Sequence, residues 1–124
     1  MKFINFVRID KGIEIIKGND FYDLHNVCEF VHFSYNVILK EVILEWKYIN
    51  REDLPLKLTL TFQNVTNFSV SERDDELPFS EDTCLSCLYI NDEDAGVMGN
   101  NAELEFQSGM ELKVKAESVA FNIE

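Results

Sequence analysis

Apolar and polar residues alternate with a period of two along much of this chain. That is the pattern of strands with one face in a core and the other in water. Leu56, Leu58, Leu60 and Phe62 alternate with Lys57, Thr59 and Thr61. Over 110–116, Leu112, Val114 and Ala116 alternate with Glu111, Lys113 and Lys115, and over 118–124, Val119, Phe121 and Ile123 alternate with Ser118, Ala120, Asn122 and Glu124. Leu104 and Phe106 do the same with Glu103 and Glu105. Four strands are predicted from these segments.

Three further segments are less regular. Over 37–49, Ile38, Val42, Leu44, Trp46 and Tyr48 share one parity, broken by Lys40; the other parity runs from Val37 and Leu39 to Ile49. The β-branched and aromatic content favours one long strand over a helix. Residues 83–90 are apolar on both parities, which predicts a central strand covered on both faces. Residues 20–33 carry both periods. As a helix, Phe21, Leu24, Val27, Cys28 and Val31 form a stripe with Asn19 or Asp20 as N-cap. As a strand, Val27, Val31 and Phe33 share a face with Glu29, and this is the preferred reading. Asp10-Lys11-Gly12 and Gln107-Ser108-Gly109 each separate apolar runs, and suit a type I turn closed by a left-handed residue.

These elements predict an all-β domain of eight or nine antiparallel strands, packed as a sandwich or flattened barrel, with one short helix as the alternative at 20–33. Neither repeats nor a linker interrupt the chain, so residues 1–124 read as a single domain. A hydrophobic fraction of 46% with two Pro and five Gly fits a folded chain. The segment 1–8 is too short and polar for a signal peptide, and no stretch reaches the roughly 20 apolar residues of a transmembrane helix. The expected compartment is the cytoplasm, and the odd count of cysteines (Cys28, Cys84 and Cys87) fits its reducing conditions.

Charge changes the picture most. Residues 72–124 hold 14 Asp and Glu against Arg73, Lys113 and Lys115, a net of −11, whereas residues 1–71 hold 9 acids against 8 bases. Such an acidic surface repels nucleic acid and anionic membrane and attracts cationic partners. Glu72, Asp74, Asp75 and Glu76 fall in one predicted loop and Asp92, Glu93 and Asp94 in another. Glu103, Glu105, Glu111, Glu117 and Glu124 take solvent-facing strand positions. If those strands are neighbours, the acids form one sheet face with acidic loops at its rim.

Enzyme chemistry has little support. Phosphate-binding Gly-rich loops, Gly-x-Ser-x-Gly elbows and His-Glu-x-x-His pairs are missing. Cys84-Leu85-Ser86-Cys87 stands in a predicted strand, not at the helix start that activates a redox pair, and reads as buried small hydrophobes. On a helix His25, Cys28, Glu29 and His32 would converge as zinc ligands; a strand separates His25 and Glu29 from Cys28 and His32. Asn91-Asp92-Glu93-Asp94-Ala95-Gly96 places Gly at the sixth position of a calcium loop, but Glu93 and Ala95 stand at its third and fifth positions and Ala102 at its twelfth. No catalytic, cofactor-binding or metal residue is therefore expected, and no cofactor.

Asp23-Leu24-His25, a long strand through Trp46, and Leu58-Thr59-Leu60-Thr61-Phe62-Gln63-Asn64-Val65-Thr66-Asn67-Phe68 form an ordered pattern over 21–70. It resembles a group of small, mostly uncharacterised bacterial proteins, some similar to immunity proteins of polymorphic toxin systems. Their paired residues usually read His-Asp, the reverse of Asp23 and His25, so no residue role carries over. The resemblance implies an inhibitor of a toxin.

Three functions follow as expectations. The first is a non-enzymatic domain that binds a cationic protein through Glu72, Asp74, Asp75, Glu76, Asp92, Glu93, Asp94, Glu103 and Glu105. The second is a small-ligand-binding or enzymatic domain with its site around Asp23, His25 and His32. The third is a structural or oligomeric subunit, which would expose Trp46, Tyr48 or Phe79 in one apolar patch. The first is preferred.

Overall fold

The computed structural model describes residues 1–48, 56–91 and 100–124. Its strands are β1 (Lys2–Ile4), β2 (Arg8–Asp10), β3 (Glu14–Lys17), β4 (Asp20–Asp23), β5 (Cys28–Asn36), β6 (Glu41–Tyr48), β7 (Leu56–Gln63), β8 (Asn67–Val70), β9 (Leu85–Ile90), β10 (Asn101–Phe106), β11 (Glu111–Lys115) and β12 (Ser118–Ile123). One short 3-10 turn spans Phe79–Thr83. The fold is all-β, as the alternation predicts. The twelve strands among the described residues exceed the expected eight or nine because β1 to β4 are only three or four residues long, too short to show a period.

Among the described residues three sheets form, ordered β1-β12-β7-β6-β5, β8-β11-β10-β9 and β2-β3-β4, and none closes into a barrel. The first two face each other across the core. Phe30 of β5 packs on Phe106 of β10 with ring centres 4.8 Å apart, and Tyr35 meets Phe68 of β8 at 4.6 Å. Leu44, Leu58, Leu60, Phe62, Leu104 and Phe121 are fully enclosed between them. Each such side chain contributes about 2 kcal/mol by leaving water. The small third sheet closes one end, with Tyr22 against Phe121 at 5.4 Å and Ile15 buried. It is tied to the edge of β9, where the Leu88 amide donates to the Gly12 carbonyl at 2.6 Å. No helix among the described residues is long and apolar enough to cross a membrane.

Several expectations are corrected. The strands are not all antiparallel, since β1 runs parallel to β12 with Lys2 opposite Ser118. Residues 37–49 are not one strand: β6 begins at Glu41, and 37–40 is a hairpin turn with Ile38 91% exposed. The Asn36 side-chain oxygen accepts the Ile38 and Leu39 amides at 3.1 and 3.0 Å, and Lys40 takes φ 55°, so local hydrogen bonding overrides apolar parity. Ile49 lies outside the described residues.

Residues 20–33 form strands β4 and β5 joined by a turn, in line with the preferred reading and not with the helix. Residues 83–90 are not a central strand. β9 is the outer strand of its sheet, and a bulge near Ser86 lets Leu85 and Leu88, three residues apart, both turn into the core. The same bulge leaves Cys84 and Cys87 half-exposed and not buried.

The two glycine turns differ. Gly109 closes 107–109 at φ 84°, with its amide donating to the Phe106 carbonyl at 3.0 Å, as expected. In the first turn Lys11 (φ 55°) and Gly12 (φ 69°) are both left-handed, and the Ile13 amide bonds the Asp10 carbonyl at 3.1 Å. That is a type I′ geometry, whose twist matches the flanking strands better than type I.

Candidate functional site

The loop after β8 is organised by its one base. Arg73 directs its Nε at both carboxylate oxygens of Asp82, at 2.9 and 3.0 Å. One Nη donates to the carbonyls of Leu77 and Pro78 at 2.9 and 3.2 Å, and the guanidinium lies 4.6 Å from the centre of the Phe79 ring. Burial raises the Asp82 carboxyl, but hydrogen bonds from Arg73 and Ser108 and the guanidinium charge outweigh it and hold it below its ordinary value. The side chain of Arg73 is thus spent inside the loop. Glu72, Asp74, Asp75 and Glu76 remain exposed on its outside, next to Leu77 and a Phe79 that is 79% exposed.

The loop is rooted in the four-stranded sheet. Ser71 bonds Glu111 twice, amide to carbonyl and hydroxyl from amide, both at 2.9 Å, and the Asp74 amide donates to the Ser108 carbonyl at 2.7 Å. Its base therefore adjoins the end of the sheet where Glu105 pairs with Glu111.

The expected acidic sheet face forms only in part. Glu103 and Glu105 do project from β10 beside Glu111, but Lys113 stands opposite Glu103 and Lys115 opposite Asn101. The outer face is acidic at the loop end and basic at the other, where Asn67, Ser69, Asn101, Glu103, Lys113 and Lys115 border a shallow hollow of about 240 Å3. Glu117 and Glu124 do not join it. The Ala116 amide bonds Asn100 and the next amide, of Glu117, bonds Gln63, so the chain changes sheets within two residues. Glu117 then accepts the Asn64 side-chain amide at 3.0 Å, and Glu124 sits 3.7 Å from Lys57. Asp92, Glu93 and Asp94 lie outside the described residues.

Asp23, His25 and His32 do not gather into one site. Asp23 organises the turn between β4 and β5: one oxygen accepts the His25 and Asn26 amides at 2.9 and 2.8 Å, the other the Asn26 side chain at 2.7 Å. Burial raises its carboxyl, but these bonds and the nearby His25 charge bring it below its ordinary value. The His25 Nδ1 donates to the Leu85 carbonyl. His32 lies on the far face of β5, in register with Glu45, because a bulge between Phe30 and His32 resets the alternation. It borders a different hollow from the one Asp23 lines.

A cysteine beside a histidine invites a nucleophile reading. Cys84 Sγ lies 3.5 Å from His25 Nδ1. That nitrogen carries the proton it gives to Leu85, so it does not serve as a base for the thiol. Burial, with the charge of Glu81, raises the Cys84 thiol further from ionisation. Burial pushes Cys28 up to about 12, and burial together with the Glu105 bond raises Cys87. All three thiols stay protonated near neutrality. Among the described residues no three His, Cys, Asp or Glu side chains converge as a metal would require.

Trp46 is 1% exposed and Tyr48 half-buried, so neither joins Phe79 in an apolar patch. Sequence reasoning named Phe79 only as part of an apolar patch with Trp46 and Tyr48, and missed Arg73 as a loop residue of consequence. The one available signal was a single Arg within an acidic run, followed nine residues later by Asp82. Comparison with known proteins finds no matching family model, no significantly similar curated protein and no significantly similar solved structure.

Proposed function

We propose that this protein is a non-enzymatic binding domain of the immunity-inhibitor type, which docks a cationic protein through the loop 71–83. The observation that carries this reading is the inward-turned Arg73, which leaves Glu72, Asp74, Asp75 and Glu76 facing outward beside an exposed Phe79. A loop already ordered before binding loses little entropy on docking. Its carboxylates speed association with a basic cleft, and an exposed aromatic ring provides a desolvated anchor within a polar rim. Toxin nucleases have cationic clefts of this kind, and the resemblance over 21–70 points to the same class of partner.

The test is affinity capture of the proteins encoded beside this one, followed by binding kinetics at 50 and 500 mM salt. A docking partner should lose about tenfold or more in association rate at the higher salt. The combined variant Glu72→Gln, Asp74→Asn, Asp75→Asn and Glu76→Gln should mimic that loss at low salt, and Phe79→Ala should speed dissociation. No neighbouring partner, or binding indifferent to salt and to both variants, would defeat the reading.

A further inference from the structure

Most strands at the margins of the three sheets carry a guard against pairing with another chain. β1 has Lys2, β2 has Arg8 and Asp10, and β4 has Asp20 and Asp23. β9 is capped by the bond from the Leu88 amide to the Gly12 carbonyl. The exceptions are β8 and the second half of β5, both outermost in their sheets. They fall in the two longest runs of the chain without Asp, Glu, Lys or Arg, residues 58–71 and 30–39. Edge strands are ordinarily kept from pairing by charge, and here that defence is missing.

The fold brings these two edges together. Phe33 and Tyr35 of β5 lie against Phe68 of β8, with ring centres 6.0 and 4.6 Å apart. The rings brace the second half of β5 from beneath, so its backbone is ordered before any partner arrives. β5 pairs with β6 alone, and among the described residues no other backbone bond reaches 32–36. Successive residues of a strand turn their N–H and C=O groups to opposite edges, so every second residue here offers both outward. The strip stays apolar and open at its ends, with Val31 48% and Val37 72% exposed. The first half of β5 is less available, because the bulge after Phe30 bends it and the 3-10 turn packs near it.

We propose that the outer edge of β5 over 32–36 pairs antiparallel with the same edge of a second copy of this chain. The charge pattern selects that partner. A two-fold contact sets a surface against itself, so any unbalanced charge within it repels its own copy. Two chains of net charge −12 meet with least repulsion along a strip that carries none. A cationic protein gains nothing there, since its attraction lies with the acids. A two-fold centred on Ser34 sets Phe33 opposite the second copy's Tyr35. It also brings the exposed Val31 beside the second copy's exposed Val37.

The test is sedimentation velocity of the full chain from about 1 to about 500 µM. Reversible dimerisation is expected, and it should strengthen at about 500 mM salt, where the like charges of the two copies are screened. That is the opposite of the salt response expected of the acidic loop, so the two readings fail separately. Ser34 points away from the core between Phe33 and Tyr35. Ser34→Lys and Ser34→Asp each set like charges on the axis and should weaken dimerisation about tenfold or more. An equimolar mixture of the two should restore it, because Lys then faces Asp. Unchanged emission from Trp46 shows that each variant is folded. Independently of any variant, amide exchange of the parent chain should slow at 32–36 between the low and high concentrations. A chain that stays monomeric throughout overturns the proposal. So does a dimer protected elsewhere, one that neither folded variant weakens, or one that the mixture fails to restore.

Discussion

Arg73 and Asp82 are nine residues apart, and the bond between them closes the loop 71–83 on itself: Nε reaches both carboxylate oxygens at 2.9 and 3.0 Å, and the same guanidinium holds two carbonyls. In a stretch so rich in acids, the arginine is turned inward to secure backbone and not outward to offset charge. Removing it should therefore affect both stability and shape. Arg73→Ala is expected to cost about 2 kcal/mol, the scale of hydrogen bonds made by a charged group, read by denaturant unfolding through the single Trp46. Arg73→Lys should recover little, because an ammonium cannot serve a carboxylate and two carbonyls from one plane.

Acid should destabilise the protein through Asp23 and Asp82. Both carboxyls lie below their ordinary values when folded, so the unfolded chain takes up their protons first as pH falls. Their contribution is complete above about pH 4 and is lost as pH drops through the lower folded values. Stability measured from pH 7 to pH 2 should fall steeply in that last interval. Asp82→Asn should be less stable at pH 7 and show a shallower acid slope. Equal slopes in parent and variant would contradict this account.

The thiols should differ in reactivity as their surroundings do. Cys28 is buried and its thiol is raised to about 12, so alkylation at pH 8 should leave it untouched until the protein unfolds. Cys84 and Cys87 are half-exposed but also raised, and should react more slowly than a small free thiol. Mass spectrometry after timed iodoacetamide treatment reads the order directly.

Turn and core substitutions should separate cleanly. Ile38 is 91% exposed, and Ile38→Asn should change stability by no more than about 0.5 kcal/mol. Leu44, fully buried on the same parity of the sequence, should cost about 3 kcal/mol as Leu44→Ala. Gly109 has room for a side chain, with Asp74 no closer than 3.7 Å, yet its φ of 84° should make Gly109→Ala cost about 1 kcal/mol through backbone strain alone. Thermal unfolding of the three variants checks the ranking.

The sequence by itself determined the class of fold and the inward faces of β7, β10, β11 and β12, because a period of two is written into each strand and needs no partner to be read. It also determined the turn at Gly109 and the excess of acid after residue 71. Only tertiary structure decided how that acid is distributed. Glu103 and Glu105 meet lysines or glutamates according to the register of β11, and Glu117 and Glu124 leave the face because the chain changes sheets at Ala116. The bulges near Ser86 and between Phe30 and His32 likewise reverse alternation, so Cys84, Cys87 and His32 could not be placed by parity. Arg73 finds Asp82 through a chain reversal that depends on what the rest of the fold encloses. Alternation is a local property of the chain; register, bulges and sheet exchange are settled by which pairings bury the shared core.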